Sequence, residues 1–162
     1  MKNRFENISE IILIGKSLKM TYSQNRTAEL WKSFMPFRNS IKNKVGEDYY
    51  SIEIYNNPDF FKKFDPNKEF EKWAAIKVEG KEQIPQDMKM LIIPEGDYAV
   101  FNYKGKSSEA GNAYQYIMTQ WIPNSAYLLD NRPHFAIMGE KYQNDHPESE
   151  EELWVPIKFK NK

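Results

Sequence analysis

The chain carries one short motif twice, and this repetition constrains its fold more than any other feature. The pattern Glu-x-Trp-x-x-Ile-Lys occurs at residues 71–77 and again at 152–158, a spacing of 81 residues. Two helix-like segments, residues 30–36 and 117–123, also correspond, since each places aromatic and aliphatic residues before a closing proline. Self-similarity of this kind predicts two copies of one structural unit.

Each copy shows the same order of predicted elements. Each contains one helix, which ends at Pro36 or Pro123 because the proline ring clashes with the preceding helical turn. Alternating or β-branched residues predict strands at 10–22, 50–55, 70–78, 88–93, 98–103, 134–142 and 151–159. Turn chemistry is found at 57–58, 65–67 and 94–97. The order predicts an α+β fold of duplicated β-α-β-β units with pseudo-two-fold symmetry, an antiparallel sheet and helices on one face.

The length suits a single domain. A chain of 162 residues lies within the usual range for one domain, so residues 1–162 are predicted to form one unit. Its first repeat is expected at about 8–80 and its second at about 86–160, which follows from the spacing of the repeated motif.

The alternation of side chains divides the last strand into two faces. The odd-numbered residues from Leu153 to Phe159 are apolar and are predicted to pack under the helices. Glu152 and Trp154 lie on the opposite face, and Glu71 and Trp73 match them in the first copy. If a two-fold axis relates the copies, the two Glu-Trp pairs meet in one aromatic groove on the helix-free side of the sheet.

A carboxylate beside an indole ring is suited to a flat, amphipathic or cationic ligand. Each contact of a cation with an aromatic face contributes about 1 kcal/mol, and more when water is excluded. Burial raises the pKa of a free glutamate, and a bound cation lowers it again. The alternative is that the exposed Trp and Glu residues form only a sheet rim. The acidic residues Asp145, Glu148, Glu150 and Glu151 are predicted to lie in a solvated loop.

Composition excludes several classes of function. The 23 basic residues balance 23 acidic ones, so the chain has no overall charge that favours nucleic acid or an anionic membrane. There is no cysteine, and the histidines, His134 and His146, are predicted at turns or on the surface rather than at a metal site. The apolar run 11–14 is too short for a signal peptide or a membrane span. We therefore expect no cofactor and no metal, no direct nucleic-acid or membrane binding, and a cytoplasmic location.

Several segments in one order resemble the GyrI-like family, the effector-binding domain of AraC-type and MerR-type bacterial regulators, which also occurs free-standing. The similarity covers nearly the whole chain. The segments that carry it are residues 28–36, 93–101, 104–105, 120–125, 132–135 and 152–157. The resemblance implies a duplicated β-α-β-β fold with a small-molecule pocket between the halves.

The resemblance also implies that Glu152 is the acidic ligand-binding residue and that aromatic residues surround it. If the site is hydrolytic, Glu152 is the expected catalytic residue, with Tyr103 or Tyr114 as a hydrogen-bond donor if either reaches the groove. The chain departs from the family at one place: the common form carries Glu directly after the Phe of Arg-Pro-x-Phe, where this chain has Ala136. The predicted ligand-binding residues are Glu152, Trp154, Trp73, Glu71, Phe101, Tyr103 and Tyr114.

These observations favour one function and leave two alternatives. The first is a free-standing small-molecule binding domain of the effector or multidrug type, holding amphipathic or cationic ligands in an aromatic groove with an acidic residue. The second is a hydrolase of strained or reactive small molecules that uses Glu152, which loss of turnover in Glu152→Gln would support. The third is a gyrase-inhibitor-like interaction module, whose partner would be a transcription regulator or gyrase.

Overall fold

A computed structural model describes residues 1–55, 59–81 and 83–160, so the turn predicted at 57–58 lies outside the described residues. Nine strands are present in this part of the chain. They are β1 (Asn3–Ile8), β2 (Ile11–Met20), β3 (Tyr49–Ile54), β4 (Phe70–Lys77), β5 (Lys89–Ile93), β6 (Gly96–Lys104), β7 (Tyr127–Leu129), β8 (His134–Met138) and β9 (Glu150–Phe159). Helix α1 spans Thr27–Phe34 and helix α2 spans Ala110–Tyr116. The helices are extended by a 3-10 turn at Met35–Ser40 and a π turn at Ile117–Trp121.

The strands form an antiparallel sheet in the order β1-β6-β9-β8-β3-β4-β2-β5, and β7 pairs with β9. This confirms the predicted α+β class. Strands β1 and β7 were not predicted. β1 occupies a sheet edge and exposes much of its sequence, so it lacks the apolar alternation by which strands are recognised.

The sheet has a pseudo-two-fold centre between β3 and β8. Ile52 of β3 pairs with Phe135 of β8 at this centre. On either side, Trp73 of β4 pairs with Ile52 and Trp154 of β9 pairs with Phe135, so the two Glu-x-Trp strands flank the centre symmetrically. The two edge strands are exchanged between the repeats. β1, from the first half of the chain, pairs with β6 of the second half, and β5, from the second half, pairs with β2 of the first. The duplication is therefore confirmed, whereas the repeat boundaries at 8–80 and 86–160 stay predictions.

Both helices lie on one side of the sheet, which we call the helix side. Leu30 and Phe34 of α1 are buried in a cluster with Ala74, and Ile117 at the end of α2 is buried in a cluster with Ala136. Ser51 pairs with both Ala74 and Ala136, which places the two clusters on the same side. Of the residues predicted to pack under the helices, Leu153, Val155 and Ile157 are buried, but Phe159 is 53% exposed because it lies at the end of β9.

The helix-free side is also buried. Leu13, Ile52, Val100 and Phe135 on this side are fully inaccessible to solvent. A sheet that is covered on both sides does not show the simple alternation of apolar and polar residues that marks one buried face. Among the described residues, neither helix is long and apolar enough to cross a membrane.

Candidate functional site

The two Glu-Trp pairs have the same geometry in both repeats. The Trp154 indole Nε1 donates a hydrogen bond to Glu152 Oε1 at 3.1 Å, and Trp73 Nε1 donates to Glu71 Oε1 at 2.8 Å. Each pair shares the helix-free side, as side-chain alternation requires. The indole rings are almost fully buried, with exposures of 8% for Trp154 and 4% for Trp73.

Each indole ring is already covered by a cation of the chain itself. Arg4 Nη2 lies 2.9 Å from Glu152 Oε2, and its guanidinium carbon lies 5.8 Å from the centre of the Trp154 ring. In the first repeat, the Lys89 ammonium lies 5.1 Å from the centre of the Trp73 ring. Both distances are within the range of a cation–π contact. Arg4 and Lys89 come from the exchanged strands β1 and β5, so chain cations hold the places predicted for a ligand cation.

Aromatic rings fill the space between the two pairs. Phe135 stacks on Trp154 with ring centres 5.1 Å apart and an interplanar angle of 16°. Tyr98 packs on Phe135 at 5.1 Å and donates its hydroxyl hydrogen to the carbonyl oxygen of Pro133 at 2.8 Å. The shared groove expected here is therefore closed by packed side chains in the part of the chain that the structure describes. Ile52 and Phe135 lie between Trp73 and Trp154 in the strand register, and both are fully buried, so they leave no groove there.

The other predicted site residues lie on the helix side. Phe101 is 1% exposed and packs edge-on against Trp121, with ring centres 5.0 Å apart. Tyr103 pairs with Glu151 across β6 and β9, and its hydroxyl donates to the carbonyl oxygen of Lys106 at 2.7 Å. Tyr114 projects from α2. The seven predicted residues thus form two groups on opposite sides of the sheet rather than one site.

A line of polar residues crosses the centre of the helix side. Glu53 of β3 pairs with Lys72 of β4 and with His134 of β8, so the three side chains share one row. Lys72 Nζ lies 3.0 Å from Glu53 Oε2. Among the described residues, neither Glu53 Oε1 nor His134 Nδ1 has a hydrogen-bond partner, although both atoms are buried. Glu53 is 5% exposed and His134 is 4% exposed, which corrects the expected surface position of His134.

Glu151 is the second carboxylate of the helix side. Its pKa is raised to about 7, mainly by burial and also by the Glu53 carboxylate, while the Lys72 ammonium acts in the opposite direction. Glu151 was predicted to lie in a solvated acidic loop. In the structure it lies in β9 on the same side as Leu153, so it is partly buried with a pKa close to neutrality.

Aromatic residues surround the two carboxylates. The Tyr22 and Tyr55 hydroxyls are 2.6 Å apart, and the Tyr55 ring meets the His134 ring edge-on at 5.0 Å. Burial and the Glu53 and Glu151 charges raise the pKa of Tyr114. Burial, together with the charge of Arg132, lowers the pKa of His134 to about 3, so its imidazole is neutral at physiological pH. We call these residues the helix-side cluster: Tyr22, Glu53, Tyr55, Lys72, Tyr114, His134 and Glu151.

The sequence contained a signal for part of this cluster. Glu151 precedes Leu153 by two positions, so alternation alone places it on the helix side once the face of Leu153 is known. Glu53 had no such signal, because Tyr50, Ile52 and Ile54 made the other face of β3 the more apolar one. The burial of Glu53 becomes apparent only when both sides of the sheet are known to be covered.

Two surface cavities are lined by none of the seven predicted residues. One, of about 410 Å³, is lined by aromatic and polar residues that include Phe5, Trp121 and Tyr127. The other, of about 420 Å³, lies beside α1 and includes Glu29, Ser33 and Lys89. Within the described residues, no group of three or more His, Cys, Asp or Glu side chains is arranged to hold a metal ion.

Comparison with known proteins identifies relatives over nearly the whole chain. A family model described as a GyrI-like small molecule binding domain matches residues 1–158. The transcriptional regulator BrlR from Pseudomonas aeruginosa is 24% identical over 131 residues, which are 80% of this chain and 45% of that regulator. The chain therefore spans about half the length of this curated relative.

Solved structures share the fold. The structure of SAV2435 bound to tetraphenylphosphonium has a TM-score of 0.71 and 14% identity, with 98% of this chain and 94% of that chain covered. EcmrR, in a cryo-EM structure of its DNA complex, has a TM-score of 0.70 and 19% identity, with 98% and 57% covered. At these identities the similarity concerns the fold alone.

Proposed function

Because the chain belongs to the GyrI-like small-molecule binding family, we propose that it binds amphipathic cations on the helix side of the sheet. The helix-side cluster would supply the carboxylates, and its tyrosines, with Tyr103 nearby, would supply the aromatic surface. The Glu152–Trp154 and Glu71–Trp73 pairs, predicted as the ligand-binding residues, would instead hold the exchanged strands β1 and β5 in place. A change in the domain on binding would be passed to a protein partner such as a regulator.

The charge of the helix-side cluster is the observation that carries the proposal. It contains two carboxylates, Glu53 and Glu151, but its one ammonium is that of Lys72, and His134 is neutral. Because the pKa of Glu151 is about 7, the cluster is near neutral when this residue is protonated and carries one net negative charge when it ionises. A ligand with one positive charge would balance that state.

The surroundings of these charges favour a lipophilic cation over a hydrated one. Electrostatic attraction is stronger where water is excluded, and an aromatic face adds a favourable contact with a cation. Phe60 is 1% exposed and packs against Tyr55 with ring centres 4.6 Å apart, while Phe61 meets Tyr55 edge-on at 4.9 Å. A ligand that reaches Glu53 would have to separate some of these rings and would then replace their contacts with its own.

The probe for this proposal is tetraphenylphosphonium, the lipophilic cation bound by the structural relative SAV2435. Isothermal titration calorimetry should give a Kd in the micromolar range, equivalent to about −8 kcal/mol. Triphenylphosphine oxide, which is aromatic but neutral, should bind at least about tenfold more weakly, since it gains nothing from the carboxylates. Equal binding of the two compounds, or no binding of the cation, would contradict the proposal.

Arg4→Gln distinguishes the two sides of the sheet. This substitution removes the cation that covers Glu152 and Trp154. A ligand cation that bound at this pair would then bind more tightly, because it would no longer compete with Arg4. If the ligand binds on the helix side, the Kd for tetraphenylphosphonium should change by less than about threefold, under about 0.7 kcal/mol. A clear increase in affinity would show that the ligand binds at the Glu152–Trp154 pair and not on the helix side.

One observation favours hydrolysis as a second candidate. A carboxyl group with a pKa of about 7 is suited to general acid–base catalysis near neutral pH. Glu151 meets this condition. The residue that the sequence suggested for hydrolysis was its neighbour, Glu152. Hydrolysis of an activated, strained substrate that disappears in Glu151→Gln but persists in Glu152→Gln would support an enzyme. Binding of cations without any product would favour the first proposal.

A further inference from the structure

The two central strands carry different residues at one pair of symmetry-related positions, Glu53 in β3 and Ala136 in β8. We propose that Glu53 contacts the positive charge of the ligand, in the position that is related by the pseudo-two-fold axis to Ala136. This inference rests on the proposed function and assigns its central contact to one residue. Three independent observations lead to it: the strand register, the unpartnered carboxylate oxygen and the charges that face it.

The register of β3 and β8 makes the two positions equivalent. Ile52 and Phe135 pair with each other at the two-fold centre, and each is followed by a residue whose side chain points to the helix side. In β3 that residue is Glu53, and in β8 it is Ala136. The family resemblance implies an acid after the Phe, at the position of Ala136. The chain lacks it there and carries an acid at the symmetry-related place instead.

The Glu53 carboxylate has one oxygen available for a ligand. Lys72 contacts Oε2 at 3.0 Å, whereas Oε1 is buried without a hydrogen-bond partner among the described residues. A buried carboxylate oxygen without a partner is costly, so such atoms in native proteins call for an explanation. A ligand cation beside Oε1 would supply an electrostatic partner for this oxygen and would not need to displace Lys72.

His134, Glu151 and the tyrosines that surround Glu53 carry no positive charge that could neutralise Oε1. His134, on the adjacent strand, is neutral and has its own buried Nδ1 without a partner among the described residues. Glu151, Tyr22, Tyr55 and Tyr114 are close enough for the charge of Glu53 to act on them, and none of them supplies positive charge. The site would therefore select a monocation with an aromatic body.

The test compares tetraphenylphosphonium binding to the full chain and to four variants by calorimetry. Glu53→Gln should weaken binding by about tenfold or more, equivalent to about 1.4 kcal/mol, and should not weaken binding of neutral triphenylphosphine oxide. Glu152→Gln, on the helix-free side, should leave both unchanged. Glu53→Gln combined with Lys72→Met keeps the buried row uncharged and should also bind the cation weakly, which controls for an unpaired Lys72.

The fourth variant moves the acid across the two-fold axis. Glu53→Ala combined with Ala136→Glu should restore tetraphenylphosphonium binding to within about threefold of the unmodified chain, because both positions face the same side of the central strands. Tight binding that survives Glu53→Gln would overturn this inference while leaving the proposed function intact. No binding by the unmodified chain would overturn both. Weak binding in Glu53→Gln without rescue by the swapped pair would reduce Glu53 to a structural residue.

Discussion

Replacing Lys72 with Met should lower the free energy of unfolding by about 3–5 kcal/mol, as is typical when one partner of a buried ion pair is removed. The Lys72 ammonium lies 3.0 Å from Glu53, and the two side chains are only 18% and 6% exposed. Without Lys72, Glu53 would keep its charge or take up a proton in a position where water cannot reach it. Either outcome destabilises the folded state relative to the unfolded chain, in which Glu53 is hydrated.

Urea denaturation at pH 8 measures this effect. The matched control is Lys104→Met, which removes a lysine from an exposed pair with Glu148, and it should leave the stability almost unchanged because the pair is solvated. The double variant Lys72→Met/Glu53→Gln should recover most of the loss, because no buried charge is then left unpaired. If Lys72→Met costs no more than the control, the pair is hydrated and the helix-side cluster is not a low-dielectric site.

The fold could be predicted because its strongest signals are local and occur twice. The Glu-x-Trp motif and the prolines after the helices depend only on residues close in sequence, and each copy supports the interpretation of the other. The pairing of β1 with β6 and of β5 with β2 depends on contacts between distant segments. No local pattern reports such an exchange, so these strands could be placed only by the structure.

The candidate site was harder to predict than the fold because charge partners come from distant strands. The sequence correctly places each glutamate and indole of the two Glu-Trp pairs on the same face, since that follows from alternation. It does not reveal Arg4, which is separated from Glu152 by 148 positions and closes the pair. The same limit applies to Glu53, because its partner Lys72 comes from another strand, β4.

The candidate site was also hard to predict because the sheet is covered on both sides. The apolar residues of β3 point to the helix-free side, so a one-sided sheet would have placed Glu53 and Ser51 in solvent. Ser51 and Glu53 are instead 8% and 5% exposed. A buried polar residue in such a position needs either a hydrogen-bonding or charge partner or a role in function. The row Lys72–Glu53–His134 is therefore the strongest structural indication of where the site lies.

Glu151→Gln should stabilise the folded chain at alkaline pH and have little effect at pH 4. Burial and the neighbouring Glu53 raise the pKa of Glu151 to about 7 from its ordinary value of 4.5. Between these two values the folded state holds a proton that the unfolded state has lost. The contribution of Glu151 to stability therefore falls as the pH rises through this interval, by up to about 3 kcal/mol. Glutamine resembles the protonated form and does not incur this loss.

Urea midpoints for Glu151→Gln and the unmodified chain should therefore coincide near pH 4 and separate above pH 7, with the variant the more stable. Glu148→Gln is the matched control, because Glu148 is 62% exposed and its pKa is lowered by Lys104. Its effect has the opposite sign and is small, since the pair is solvated. A saturating lipophilic cation should reduce the advantage of Glu151→Gln, because the ligand stabilises the ionised carboxylate. If the two curves remain parallel from pH 4 to pH 9, Glu151 is ionised without cost and contributes neither to proton exchange nor to selection of a cation.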